Sequence, residues 1–374
     1  MKRVLGKEDF EAFLLGATLY GTGGGGEAAW GRAIMENDCA KGRQYELVDP
    51  EDVPDDAFVC SGGIMGSVKS LDNLSFTDIV QEWETDFPLV NAIRAMESFC
   101  GRKVDYIIPF EIGGLNSPVI FSAAARLGIP CINGDGVGRS APETHMTSFI
   151  GNGVDLYPMP LVDRYGNTSI VVKSEVSTYA DEVGRFIVVK GGGMGANAHY
   201  PMTGTQLKTA CVPHIMTKAL GVGKMLLGAK ELGQDPIAEF ANMEQGVRLF
   251  AGKITAIEGE DKGGFYLTNA GIEGTGENAG QNAKLVIKNE TMVLWIDGQL
   301  RAMFPDLVFM MDSKSGFGLP SIELEVGTEL TLVGAPCADA VKRALATEVG
   351  KMSMGAARYG YSDLEYVPFE KLNG

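Results

Sequence analysis

The stretch Val104–Gly136, "VDYIIPFEIGGLNSPVIFSAAARLGIPCINGDG", decides the fold. Its first seven residues, "VDYIIPF" (104–110), form an apolar run rich in β-branched and aromatic side chains, which predicts a strand. "SPVIFSAAARLG" (117–128) has Pro just inside its start and Gly at its end, which predicts a helix. "IPCIN" (129–133) predicts a second strand. Strand, helix and strand in this order imply neighbouring parallel strands. Both strands run directly into polar, glycine-rich turns, "EIGGLNS" and "GDGVGRSAPETH". Ligands of open parallel sheets sit beyond the carboxyl ends of the strands, so these turns are where a site is expected.

Working outward, the same alternation fills the first half of the chain. Helices are predicted over Glu8–Leu19, near Glu27–Asn37 and over Leu89–Cys100. A buried strand is predicted at "FVC" (58–60), running into "SGGIMGS" (61–67). A hairpin is predicted over 160–172 with its turn near Gly166-Asn167. "RFIVV" (185–189) reads as a further strand, and 206–228 as mostly helical. Beyond Leu249 the character changes to short β segments separated by Gly, Asn and Asp, with Asp297-Gly298 marking a turn. A last helix is predicted over Asp339–Val349. The expected architecture is an α/β part with a mostly parallel sheet, residues 1–245. A β-rich part with a C-terminal helix and tail, residues 246–374, follows it.

Composition narrows the function. The 374 residues are 45% hydrophobic and carry a net charge of -16. Such an acidic surface repels phosphate backbones, and no Lys/Arg cluster offsets it locally, so neither nucleic acid nor an anionic membrane is an expected partner. No apolar run reaches membrane-spanning length. The N-terminal segment is interrupted by charges, its apolar residues stand at helical spacing, and it reads as an amphipathic helix. The six cysteines are scattered without a CxxC pair, the pattern of free thiols in a reducing cytoplasm. The chain has 50 glycines, about twice the average share. They cluster at 23–26, 62–66, 113–114, 134–138 and 191–195, which suggests backbone approaching a small ligand or another loop.

Standard motifs fail on context. "GTGGGG" (21–26) contains a literal GxGxxG but follows a helix, and "VVKGGGMGANA" (188–198) has no acid after it until Glu231, so dinucleotide binding is rejected. There is no P-loop, no GxSxG and no HExxH. If the strands are parallel, Glu111, Asn116, Asp135, Arg139, Glu143 and His145 converge on one rim of the sheet. The alternative is that Arg139 pairs with Asp135 or Glu143 and merely staples a glycine loop. Gly24, Gly25, Gly113 and Gly114 are the expected close backbone contacts to a ligand. His199 lies beside a glycine loop and is a second candidate acid or base, whereas His214 reads as structural. Asp135, Glu143 and His145 also make a mixed-ligand set for one divalent ion. Cys60, before two glycines, reads either as a buried core residue or as a nucleophile.

Several longer motifs together resemble a known family, the former DUF917, now associated with S-methyl thiohydantoin desulfurase. They are "GTGGGG" (21–26), "PFEIGGLNS" (109–117), "NGDGVGRSAPE" (133–143), "KNE" (288–290), "FPDL" (304–307) and "YGY" (359–361). The chain departs from the usual pattern at "THM" (144–146), after the Pro-Glu pair. The resemblance implies an α/β part followed by a β-rich part, and hydrolysis of a methylthio group from a cyclic imidazolinone to give a hydantoin and methanethiol. It also implies association with hydantoinase or oxoprolinase proteins, either as partner systems or with this chain as a non-catalytic, ligand-binding subunit. No catalytic residue is inherited from it. For such chemistry Asp135 or Glu143 is the expected base and His145 or His199 the proton donor. Arg139 would stabilise charge, and Asn116, Glu111 and loop amides would anchor the ring. A divalent metal would take over part of that work. The expected state is a cytoplasmic homo-oligomer.

Overall fold

In a computed structural model of the chain, residues 2–66, 75–262 and 265–374 are described. An eight-stranded mixed sheet organises the first part, in the order β1-β2-β5-β4-β3-β9-β7-β8. Its strands are β1 (Lys2–Leu5), β2 (Tyr45–Val48), β3 (Phe58–Gly66), β4 (Tyr106–Pro109), β5 (Cys131–Ile132), β7 (Met159–Asp163), β8 (Thr168–Val171) and β9 (Met194–Thr203). Strands β2, β5, β4 and β3 run parallel at its centre. The helix Asn116–Leu127 connects β4 to β5 and ends on Gly128, which is left-handed at φ 69°. Two short strands, β6 (Gly134–Asp135) and β10 (Val212–Pro213), pair separately.

The second part is a seven-stranded antiparallel sheet, β15-β14-β13-β12-β11-β17-β16. Its strands are β11 (Val247–Lys262), β12 (Phe265–Gly274), β13 (Asn282–Lys288), β14 (Glu290–Ile296), β15 (Gln299–Met303), β16 (Leu307–Asp312) and β17 (Glu329–Ala335). The architecture is therefore α/β followed by β-rich. The turn at Asp297-Gly298 joins β14 to β15 with both residues at positive φ, 47° and 77°, as that dipeptide favours. One buried core joins the two parts. Tyr20 packs edge-on against Phe309 at 5.7 Å, and Phe309 against Phe240 at 4.7 Å. Each ring is fully buried, worth roughly 1.5–3 kcal/mol.

Two expectations need correction. "RFIVV" lies within the helix Tyr179–Lys190, not in a strand. Ala180, Gly184 and Val188 recur every fourth residue and form its buried face. Asp181 and Glu182 stand in the first turn and Lys190 in the last, where each suits the helix dipole. "SGGIMGS" is not a loop either: β3 continues through Gly66, paired with β9 along its length. Its last residue, Ser67, lies outside the described residues.

Candidate functional site

Parallel β3, β4 and β5 do bring their carboxyl ends to one rim, and a cavity of about 1000 Å³ opens there. The glycine turn after the first helix forms one wall. Gly25 O accepts from the amides of Leu115 (3.0 Å) and Asn116 (3.2 Å), which pins that turn to the loop after β4. Thr291 N donates to Thr22 O at 2.9 Å, and Ser321 N to Gly23 O at 2.7 Å, which pins it to β14 and to the connection between β16 and β17. The cavity therefore has walls from both parts of the chain. Gly113 and Gly114 serve this packing rather than a ligand. A Cβ at 113 would meet the backbone of Gly25, and one at 114 would lie 3.1 Å from Ala28. Neither lines the cavity, whereas Gly24 and Gly25 do.

The sequence-predicted polar residues separate into groups. Glu111, Asn116, Glu143 and His199 line the cavity; Asp135, Arg139 and His145 do not. Asp135 accepts from Ile112 N (2.8 Å), Val137 N (3.1 Å) and Gly138 N (2.7 Å), so both its oxygens are engaged in shaping the loops. Burial pushes its carboxyl up to about 7, against the pull of those three amides. Arg139 is fully buried. It donates to the carbonyls of Ser140 (3.0 Å), Asp306 (2.7 Å) and Thr291 (2.6 Å), and so ties the loop after β5 to β14 and to the turn before β16. Arg139 forms no salt bridge with Asp135 or Glu143: its partners are carbonyls, with the Phe304 ring 5.1 Å away.

Glu143 is held by Lys288 Nζ at 2.5 Å and by Arg358, whose guanidinium donates to both its oxygens. Burial would raise its carboxyl, but Arg358 and Lys288 bring it below the ordinary value. His145 Nε2 lies 3.8 Å from Glu143. Burial lowers the His145 imidazole, so the ring is neutral at pH 7, and neither ring nitrogen has a hydrogen-bond partner. The divalent-ion set of Asp135, Glu143 and His145 does not form, because amides and cations occupy the carboxylates. Among the described residues no three His, Cys, Asp or Glu side chains gather as a metal site. Cys60 is fully buried and its thiol is pushed up by desolvation, so it is a core residue.

Among the described residues, four that line the cavity carry a buried polar atom with no hydrogen-bond partner: Trp30 Nε1, Asn197 Oδ1, His199 Nδ1 and Glu290 Oε2. Buried polar atoms in native proteins are normally satisfied, so this set is what a polar ligand would complete. His199 packs edge-on against Phe110 at 5.5 Å. Burial lowers its imidazole to about 3, so the ring is uncharged at neutral pH. Glu290 was missed from sequence. Asn289, at φ 59°, makes the tight turn between β13 and β14. That turn sets Lys288 beside Glu143 while Glu290 lines the cavity with Glu111. Around the opening, Phe186, Val189 and Ile322 are exposed apolar residues.

Residues 8–173 match the family model described as S-Me-THD-like, N-terminal domain, and residues 175–369 the one described as S-Me-THD-like, C-terminal domain. The fold is similar to that of a protein from Chromobacterium violaceum solved by X-ray crystallography. The TM-score is 0.77 at 22% identity, covering 98% of this chain and 100% of that one. Among curated proteins nothing matches the chain. Among the described residues, no helix is long and apolar enough to cross a membrane.

Proposed function

Because the chain belongs to the S-Me-THD-like family, we propose that it is a hydrolase of a small cyclic amide-like compound. The compound is of the S-methyl thiohydantoin type, and the products are methanethiol and a hydantoin. The observation that carries this reading is the cavity wall. A five-membered ring with alternating N–H and C=O groups needs a few fixed donors and acceptors and an otherwise apolar surround. Trp30 Nε1 offers a donor, Asn197 Oδ1 an acceptor, and neutral His199 Nδ1 a group whose tautomer decides which it is. All three are buried without a partner. Asn116, whose Nδ2 donates to Glu111 Oε1 at 2.6 Å, orients an acid beside them.

In this reading Asp135 and Arg139 position loops rather than touch substrate. Glu143, fixed as an anion by Lys288 and Arg358, shapes the wall and its charge, with neutral His145 behind it. The test is incubation of the purified chain with an S-methyl thiohydantoin while free thiol is followed with a thiol-reactive chromophore. Stoichiometric methanethiol and hydantoin are expected. Release no faster than in buffer, for ring substrates with and without a substituent, would overturn the reading.

A further inference from the structure

We propose that Glu111 and Glu290 form the catalytic acid–base pair of this cavity, one giving a proton while the other takes one. This inference rests on the hydrolase reading and names the groups that would carry it out. The two residues arrive from opposite parts of the chain, Glu111 from the loop after β4 and Glu290 from the start of β14. They are 6% and 3% exposed, and both line the cavity. Neither has a Lys or Arg salt-bridge partner among the described residues. The nearby cation, Arg139, has its hydrogen-bonding groups directed at carbonyls.

Their oxygens are used unequally. Glu111 accepts from Asn116 Nδ2 and from the amide of Ala141. Among the described residues, Glu290 Oε2 has no hydrogen-bond partner. A cavity-lining glutamate with an oxygen that nothing else holds is free to turn that oxygen toward a substrate or an attacking water. Two carboxyls buried together cannot both ionise cheaply. Desolvation first, and then the charge of Glu290, raise Glu111 well above the usual carboxylate range. Desolvation raises Glu290 to about 8, although Arg139 pulls the other way. The pair thus retains at least one proton at neutral pH, and in its singly protonated form that proton belongs to the pair rather than to either residue.

One shared proton is sufficient for the reaction. The ionised carboxylate takes a proton from water as its oxygen bonds to the ring carbon that bears the methylthio group. The protonated partner gives its proton to the adjacent ring nitrogen, and a neutral tetrahedral adduct results. The pair still holds one proton, with the roles exchanged. In the second step the carboxylate that has just lost its proton takes the adduct's O–H proton as the C=O forms. The other delivers its proton to sulfur as the C–S bond breaks. Methanethiol and hydantoin leave, and the pair returns to its starting state.

The test compares Glu111→Gln, Glu290→Gln and Gly24→Ala with the wild type. It reads kcat, the Kd of the hydantoin product by calorimetry, and the infrared carbonyl stretch of a protonated carboxyl at pH 7. Each Gln variant is expected to lose at least ~100-fold in kcat, the scale of a general acid or base. Its hydantoin Kd should stay within about threefold, where a hydrogen bond to the neutral amide replaces that of the acid. The protonated-carboxyl band should be present in the wild type and weaker in both Gln variants, what remains coming from Asp135 and the surviving glutamate. If the wild type turns over no ring substrate, the hydrolase reading fails and the catalytic role with it. If the wild type is active and both Gln variants match it, or the band is absent from the wild type, the pair alone is refuted. Gly24→Ala keeps both carboxyls but moves one, so it reports even where a Gln variant does not fold.

Discussion

The sharpest perturbation of the site is the smallest one, Gly24→Ala. Gly24 lies in a turn where Gly23, Gly25 and Gly26 all have positive φ (97°, 79° and 76°), but Gly24 itself does not. An alanine is therefore not strained by backbone conformation there. Its methyl group would lie 2.6 Å from Glu290 Cδ and 2.8 Å from Glu290 Cγ, and all three of its nearest neighbours belong to that one side chain. Ordinary contact begins at 3.4 Å, so the carboxyl carbon must retreat by at least about 0.8 Å (3.4 − 2.6). Inserting a methyl into a packed site costs about 1–3 kcal/mol, which a domain of this size survives. A displacement near 1 Å of a reacting group can cost about 100-fold in rate. The expected result is a folded protein, melting a few degrees lower, with kcat down about 100-fold on an S-methyl thiohydantoin. A variant with kcat within twofold of the wild type would refute the placement of Glu290 in the reaction.

Lys288→Met should destabilise the chain by about 1–3 kcal/mol in urea unfolding, since it removes one of two cations from buried Glu143 and leaves Arg358 to hold it. Adding Glu143→Gln should recover part of that loss. Asp135→Asn turns an amide N–H₂ toward a backbone donor, at Ile112 or at Val137 and Gly138. It should cost about 1–3 kcal/mol and worsen KM together with kcat, whereas a catalytic base would lower kcat alone. Folding stability should fall as pH rises from 6.5 to about 8. Asp135 (3.8 to about 7) and Glu290 (4.5 to about 8) are raised by folding, so the folded chain holds protons there that the unfolded chain has released. His199, lowered from 6.5 to about 3, works in the opposite direction only below 6.5. Glu290→Gln should flatten the decline in melting temperature across that window.

Much of the framework was legible because apolar runs were bounded by glycines. Val104–Phe110 and Ile129–Asn133 bracket a helix that starts with Pro and ends with Gly, and β4, that helix and β5 appear where expected. The helix Tyr179–Lys190 was misread because a cluster of β-branched residues outweighed a fourfold spacing of small buried ones. The cavity that forms the candidate site was half legible. The rim was correct, and Glu111, Asn116, Glu143 and His199 reach the cavity. Residue type alone does not say whether an acid faces a ligand or backbone amides, and this hid the structural work of Asp135. Glu290 was hidden by distance along the chain. Its signal was the polar trio Lys288-Asn289-Glu290 inside an otherwise apolar β region, where a tight turn with Asn at positive φ puts two charged residues to use. Trp30 and Asn197 carried no sequence signal; only their buried, unpartnered atoms mark them.

The most direct measurement of the central claim is a crystal structure of the protein soaked with the hydantoin product at saturating concentration. The account predicts the ring in the cavity between the two sheets, within hydrogen-bond reach of Asn197 and His199, with Glu111 and Glu290 at the carbon that carried sulfur. A ring bound elsewhere on the molecule, or a cavity holding only water beside those four residues, would contradict it.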